Sequence, residues 1–314
     1  FVLSLRRELL DPKHFLGAHV KRSLKEWRGI VMGDSKPENK LRSFHQILKA
    51  LAVVTIDTYP KLNQLPLSSY YVALSLQTTI LPLTYAHLLS LYHQENHQND
   101  ALFSSSVHTL MSQDGGCTLE SMLVAPRFRI PARDGEERPY GRAVGELDGL
   151  SSEMLPTRKM QIIQLTYREI CSAVADYYAK SDKQVLLGAD DLLPIFSYCL
   201  VHAHLSCPCS ELAYMNDFIL EEDLNGELGY VLATLHTSLQ VVTRLGVEEE
   251  ERAQKSKKEE GEKEATSDKE GGKEEREEHG KAEGADDSEE TEDEEDGGQE
   301  KEGEGEGEKE GDEF

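Results

Sequence analysis

Apolar residues recur at steps of three and four almost throughout the first 247 residues, and runs that alternate apolar with polar are scarce. That periodicity predicts an all-α fold. The clearest stripe follows Pro156 and Thr157, where Ile163, Tyr167, Ile170, Val174 and Tyr177 fall on one helical face with Thr157 as the cap. Earlier helices are expected over residues 3–10, 14–32, 39–59 and 68–93, with another over 106–123. The most apolar window, residues 72–92, contains Gln77, Pro82 and His87 among several Thr and Ser. It reads as a buried helix pair broken near Pro82, too polar for a membrane span.

The helical pattern fails twice. Residues 125–144, APRFRIPARDGEERPYGRAV, are rich in Arg, Pro and Gly and predict a long exposed connection. From residue 248 the apolar signal stops altogether: residues 248–314 hold 32 Asp and Glu against 11 Lys and Arg, so −21 of the chain's net −25 lies there. This stretch also holds 11 of the 24 glycines, and it has too little apolar surface to offset the entropy of ordering, which predicts a disordered acidic tail. Such a run most commonly serves as a solvating appendage, with contact to basic proteins the less common alternative. The remaining part is nearly neutral at −4 and carries no dominant basic stripe, which removes the usual argument for nucleic-acid binding. Three parts are therefore expected: a helical bundle over 1–100, a helical domain over 101–247 and the tail over 248–314.

Five cysteines, at 117, 171, 199, 207 and 209, are an odd set, with Cys171 and Cys199 inside apolar helical pattern. They favour free thiols and a reducing compartment over a disulfide framework. The chain opens on Phe1, which suggests a fragment or a processed product, so missing targeting signals prove little.

The residues give little support to covalent or metal chemistry. Glycine-lysine pairs occur only in the acidic tail, so no phosphate-binding loop is present. His93 and His97 lie four apart, but Glu95 is misplaced for the HExxH zinc pattern. The run HAHLSCPC offers His202, His204, Cys207 and Cys209, yet four donors crowded around Pro208 predict a helix end and turn instead of two zinc knuckles. No metal and no cofactor is called for.

Two stretches remain: GADDLLP at 188–194 and NGELGY at 225–230. Alone they read as helix starts, with Asp190 or Asp191 as a cap, Pro194 in the first turn where its missing amide costs little, and Asn225 and Gly226 in a turn. Together they stand in order after the helix RKMQIIQLTYREICSAVADYY, with IFSYCLVHA, SELAYMNDFI and ATLHTSL around them. As an ordered set these segments resemble the vacuolar protein sorting nine (VPS-nine) domain, strongly over residues 155–242 and more weakly over 81–110. EDLNGELG and PTRKMQIIQLTYREI are similar to its alsin-like branch.

The resemblance implies a helical catalytic layer packed on a helical bundle, and exchange of guanine nucleotide on a Rab-five-like endosomal GTPase. It places the family's essential aspartate on Asp190 and its tyrosine on Tyr230, with Pro194, Asp191 and Thr234 as supporting contacts. The family commonly has Thr three residues beyond the tyrosine, where this chain has Ala233, with Thr234 a step further and about 100° around the helix. A carboxylate inserted into the GTPase would compete with phosphate and magnesium. The implied location is cytoplasmic, with recruitment to the early endosomal membrane. Two other readings stay open: a non-catalytic GTPase-binding adaptor, and a scaffold governed by the acidic tail.

Overall fold

The structure is a computed structural model that describes residues 2–179 and 185–277. Among the described residues every regular element is a helix, in the order α1 Val2–Leu10, α2 Phe15–Val31, α3 Pro37–Thr58, α4 Ser68–Met111, α5 Gly141–Asp148, α6 Pro156–Tyr178, α7 Ala189–His202, α8 Pro208–Phe218 and α9 Glu227–Glu277. The all-α expectation holds. One compact unit covers Phe1–Lys257 and a second covers Lys258–Phe314. The backbone of 248–277 belongs to α9, and the rest of the segment expected to be disordered, 278–314, lies outside the described residues.

Two apolar cores organise the first unit. One is built from Leu5, Leu9, Trp27, Phe44, Leu76, Ile80 and Leu88, with the Trp27 and Phe44 rings 4.7 Å apart. The other gathers Phe103, Leu110, Met160, Ile163, Ile170, Phe196, Met215 and Leu235. Each large apolar side chain taken fully from water contributes about 1.5–3 kcal/mol, so both cores are needed to offset the ordering of so many helices. Two helices belong to both cores. In α4 the apolar contacts pass from the first core to the second between Tyr92 and Phe103, so the division expected at residue 100 falls inside this helix. In α8, Tyr214 and Phe218 enter the first core while Leu212 and Met215 enter the second.

The sequence reading of α4 needs correction. The expected break at Pro82 does not occur, and the expected helices over 68–93 and 106–123 are one 44-residue helix that stops at Met111. Proline removes one amide donor, whereas Ile80, Leu81 and Thr84 around it are buried, and packing on both sides outweighs a single lost hydrogen bond. Length and composition alone would let α4 cross a membrane, but it packs against α1, α3 and α8 as the central core helix. A turn containing Gly115 and Gly116, both at positive φ, follows it.

Helix α6 covers the expected residues, yet Thr157 does not cap it: Leu155 is the N-cap and Pro156 takes the first helical position. Ile163, Ile170 and Val174 are buried as expected, while Tyr177 is exposed at the helix end. The stretch 125–144 is also corrected. It is strapped to the core, with Phe128, Ile130 and Tyr140 buried and the Tyr140 hydroxyl donating to the Phe128 carbonyl at 2.7 Å.

Candidate functional site

The GADDLLP stretch opens α7. Gly188 is the N-cap, Asp190 the second helical residue and Asp191 the third. Both carboxylates suit the positive end of the helix, but the structure separates their roles. Asp191 accepts from the Gly188 amide at 3.2 Å and takes Nη2 of Arg127 on both oxygens, at 2.8 and 2.9 Å. Asp190 is exposed, and among the described residues its side chain makes no hydrogen bond or ion pair. Capping and presentation are therefore divided between neighbours. Pro194 is the sixth helical residue, beyond the first turn where the sequence placed it, so it has no N–H to offer the Asp190 carbonyl. Leu192, Ile195 and Phe196 around it are buried and fix the helix to the core.

Arg127 is held as firmly as Asp191. Its carbonyl accepts from the Tyr178 hydroxyl at 2.6 Å, and its guanidinium lies 4.8 Å from the centre of the Phe128 ring, which is fully buried. No spacing in the Arg-rich loop marked this residue, because its partner is 64 positions away.

The NGELGY stretch opens α9. A Cβ at Gly229 would stand 2.1 Å from the Leu224 carbonyl oxygen, so the preceding turn requires glycine there. Tyr230 follows, 40 % exposed, its ring edge-on to Tyr167 with centroids 6.2 Å apart. The hydrogen bond with Cys171 raises the Tyr167 hydroxyl to about 12, so it stays protonated. Glu227 accepts from Gln164 at 2.9 Å and from Arg168 at 3.3 Å, contacts that hold its carboxyl below the usual range. Ala233 is exposed, one turn beyond Tyr230 on the same side. Thr234 is only 8 % exposed, and its hydroxyl donates to the Tyr230 carbonyl at 3.0 Å. That side chain is turned inward and its donor is used within its own helix.

Helix α6 joins the two stretches. Tyr167 meets Tyr230, and Tyr178, eleven residues on, holds Arg127 and through it the start of α7, a separation of about 16 Å along the helix. Among the described residues no hydrogen bond or ion pair runs directly between Asp190 and Tyr230; the rigid helix sets their relationship.

The SELAYMNDFI segment, α8, is held by buried charges that the sequence did not reveal. Asp100 caps it, accepting from the amides of Cys209 and Ser210 at 2.8 and 3.3 Å. The four donors of HAHLSCPC are used separately. His202 sits between the Cys117 carbonyl and Arg138, His204 meets Asp148, Cys207 is the N-cap of α8, and the Cys209 amide goes to Asp100. All five cysteines are free, and burial pushes the Cys117 thiol up to about 11.

The class is thus a helical module that offers a solvent-facing carboxylate and an aromatic side chain on two helix starts joined by α6, a surface suited to engaging another macromolecule. Residues 140–247 match the family model described as the Vacuolar sorting protein 9 (VPS9) domain. It is 27% identical over 256 residues to human VPS9 domain-containing protein 1, an alignment covering 75% of this chain and 38% of that protein. Human alsin is 26% identical over 167 residues, covering 50% of this chain and 10% of alsin. A bovine GTPase-activating protein and VPS9 domain-containing protein 1 is 27% identical over 103 residues, or 33% of this chain and 7% of the relative. The chain therefore spans well under half the length of these relatives.

Proposed function

We propose that this chain is a guanine nucleotide exchange factor for a Rab-five-like small GTPase, acting in the cytoplasm and at early endosomes. The observation that carries this reading is Asp190: exposed and, among the described residues, unpaired, while the carboxylate beside it is engaged by Arg127 and the Gly188 amide. A GTPase holds GDP through its phosphate cradle, a lysine and magnesium. A carboxylate entering that cradle pairs with the lysine, competes with phosphate and metal, and speeds nucleotide release without making or breaking a bond. Linkage makes the effect mutual, so incoming GTP expels the factor. Tyr230 supplies apolar contact area with a polar tip, Pro194 and Asp191 fix the helix start, and Thr234 serves α9 itself. Residues 1–100 serve as the supporting bundle for 101–247.

The test is release of labelled GDP from a panel of Rab GTPases. Asp190→Ala should abolish acceleration, with Asp191→Ala retaining part of it. Equal acceleration by the wild type and Asp190→Ala would reject the role given to that carboxylate.

A second reading, a GTPase-binding adaptor without exchange activity, is favoured by one observation: the exposed position a turn beyond Tyr230 holds Ala233 and offers no hydroxyl. Capture of nucleotide-free GTPase with no acceleration of release, in both the wild type and Ala233→Thr, would select it.

A further inference from the structure

We infer that Arg127 is a positioning residue for nucleotide exchange, acting through Asp191 on the direction in which Asp190 leaves the α7 start. This rests on the exchange reading above and extends it to a loop that lies before the matched domain, residues 140–247.

Three observations converge on Arg127. Its guanidinium engages both oxygens of Asp191, the residue that also receives the Gly188 amide, so one carboxylate closes the N-cap and anchors it to a separate segment. The anchor itself is tied to the core: the Arg127 carbonyl receives the Tyr178 hydroxyl, Phe128 is completely buried, and the Phe128 carbonyl receives the buried Tyr140 hydroxyl. Asp190 lies between the two capped groups in sequence, and among the described residues its side chain makes no hydrogen bond or ion pair to orient it. Its direction is therefore inherited from the first turn of α7.

The carboxyl terminus of that first turn supports the same conclusion. Pro194 cannot donate to the Asp190 carbonyl, so the turn that carries Asp190 lacks a hydrogen bond that an ordinary helix would have. External fastening must compensate, and Arg127 is the cation that the structure puts there. Arg127 is 58% exposed and Asp191 16% exposed, so the pair contributes little to global stability, and its consequence is local geometry. Small misplacements of a reacting group cost large factors in rate, because the rate depends on a narrow set of approach geometries.

The experiment uses the full chain and a GTPase that it activates, with kcat and KM for GDP release measured separately. Arg127→Ala should lower kcat about tenfold with KM nearly unchanged and no shift in melting temperature, and Arg127→Lys should recover part of the loss by restoring one charged hydrogen bond. In an Asp190→Ala background, where release is no longer accelerated, Arg127→Ala should leave the affinity for the nucleotide-free GTPase unchanged. Wild-type kcat for Arg127→Ala beside an inactive Asp190→Ala would overturn the inference and leave the exchange reading intact. A loss of that affinity on Arg127→Ala in the Asp190→Ala background would also overturn it, because Arg127 would then be touching the GTPase itself. Full activity in Asp190→Ala would reject the role given to that carboxylate and this inference with it, whereas no acceleration by the wild type on any Rab GTPase would bring down the exchange reading itself.

Discussion

Lys159 and Glu211 form an ion pair at 2.7 Å with side chains 0 and 1 % exposed, and it joins α6, which carries Tyr167, to α8. Lys159 also donates to the Leu150 carbonyl at 2.7 Å, and Glu211 accepts the Tyr85 hydroxyl from α4 at 3.0 Å. Desolvation lowers the Lys159 pKa and raises that of Glu211, and the mutual attraction opposes both. Such a pair adds little net stability over apolar replacements, yet leaving one partner alone is expensive. Its role is to fix which helices meet and in what register.

Glu211→Ala should therefore destabilise the protein by about 3–5 kcal/mol, because it strands a buried ammonium. Lys159→Met combined with Glu211→Leu should cost clearly less than the sum of the two single changes. Urea unfolding of the four proteins measures this. Additive losses would mean that the two charges are independent in the folded state.

Stability should fall as the solution becomes mildly acidic, and His202 supplies a defined part of the loss. Its Nε2 lies 3.0 Å from the Cys117 carbonyl and its Nδ1 lies 3.0 Å from Arg138 Nη1, an arrangement that suits a neutral ring donating from Nε2 and accepting at Nδ1. Burial lowers its pKa from 6.5, outweighing the raising effect of the Cys117 carbonyl, and the Arg138 charge lowers it further. The unfolded chain then binds the proton more readily than the folded one, so the contribution is complete above about pH 6.5 and declines as pH falls towards the folded-state pKa. The slope reaches at most about 1.4 kcal/mol per pH unit. Unfolding free energies at pH 7.5 and 5.5 should differ more for the wild type than for His202→Gln; identical differences would remove His202 from the account.

Gly229→Ala tests the turn that leads to Tyr230. The new methyl would lie 2.1 Å from the Leu224 carbonyl oxygen, a backbone atom that cannot rotate away. Relief requires moving the start of α9, at a cost of about 1–3 kcal/mol. Chemical denaturation should show that loss, and exchange activity should drop in the folded fraction because Tyr230 leaves its place against Tyr167. A variant as stable and as active as the wild type would show that the turn shifts freely.

The legible parts of this fold were the periodic ones. Ile163, Ile170 and Val174 announced α6 through spacing alone, and the two punctuated stretches do open α7 and α9. Pro82 misled because a helix packed on both sides tolerates one missing amide, a tertiary effect invisible in local pattern. The strapped loop was missed for a related reason: Phe128, Ile130 and Tyr140 follow no helical period, and they are buried by residues distant in sequence. At the site, Asp190 and Asp191 could not be told apart by type or neighbourhood. The Gly188 amide and Arg127, the latter far away along the chain, mark Asp191 as the capping carboxylate.

Ala233 and Thr234 give the sharpest test of the α9 face. Ala233 is exposed beside Tyr230, whereas Thr234 is buried with its hydroxyl on the Tyr230 carbonyl. Ala233→Thr restores a hydroxyl at the exposed position, at a helix-propensity cost of about half a kcal/mol, and should raise kcat/KM for nucleotide release about three- to tenfold. Thr234→Val removes the inward hydroxyl, should lower stability by about 1 kcal/mol and should leave exchange unchanged. The two variants thus move different quantities, one the release rate and the other the unfolding midpoint. If Thr234→Val slowed release while Ala233→Thr did nothing, the contact face would lie a step further round α9 than its exposure indicates.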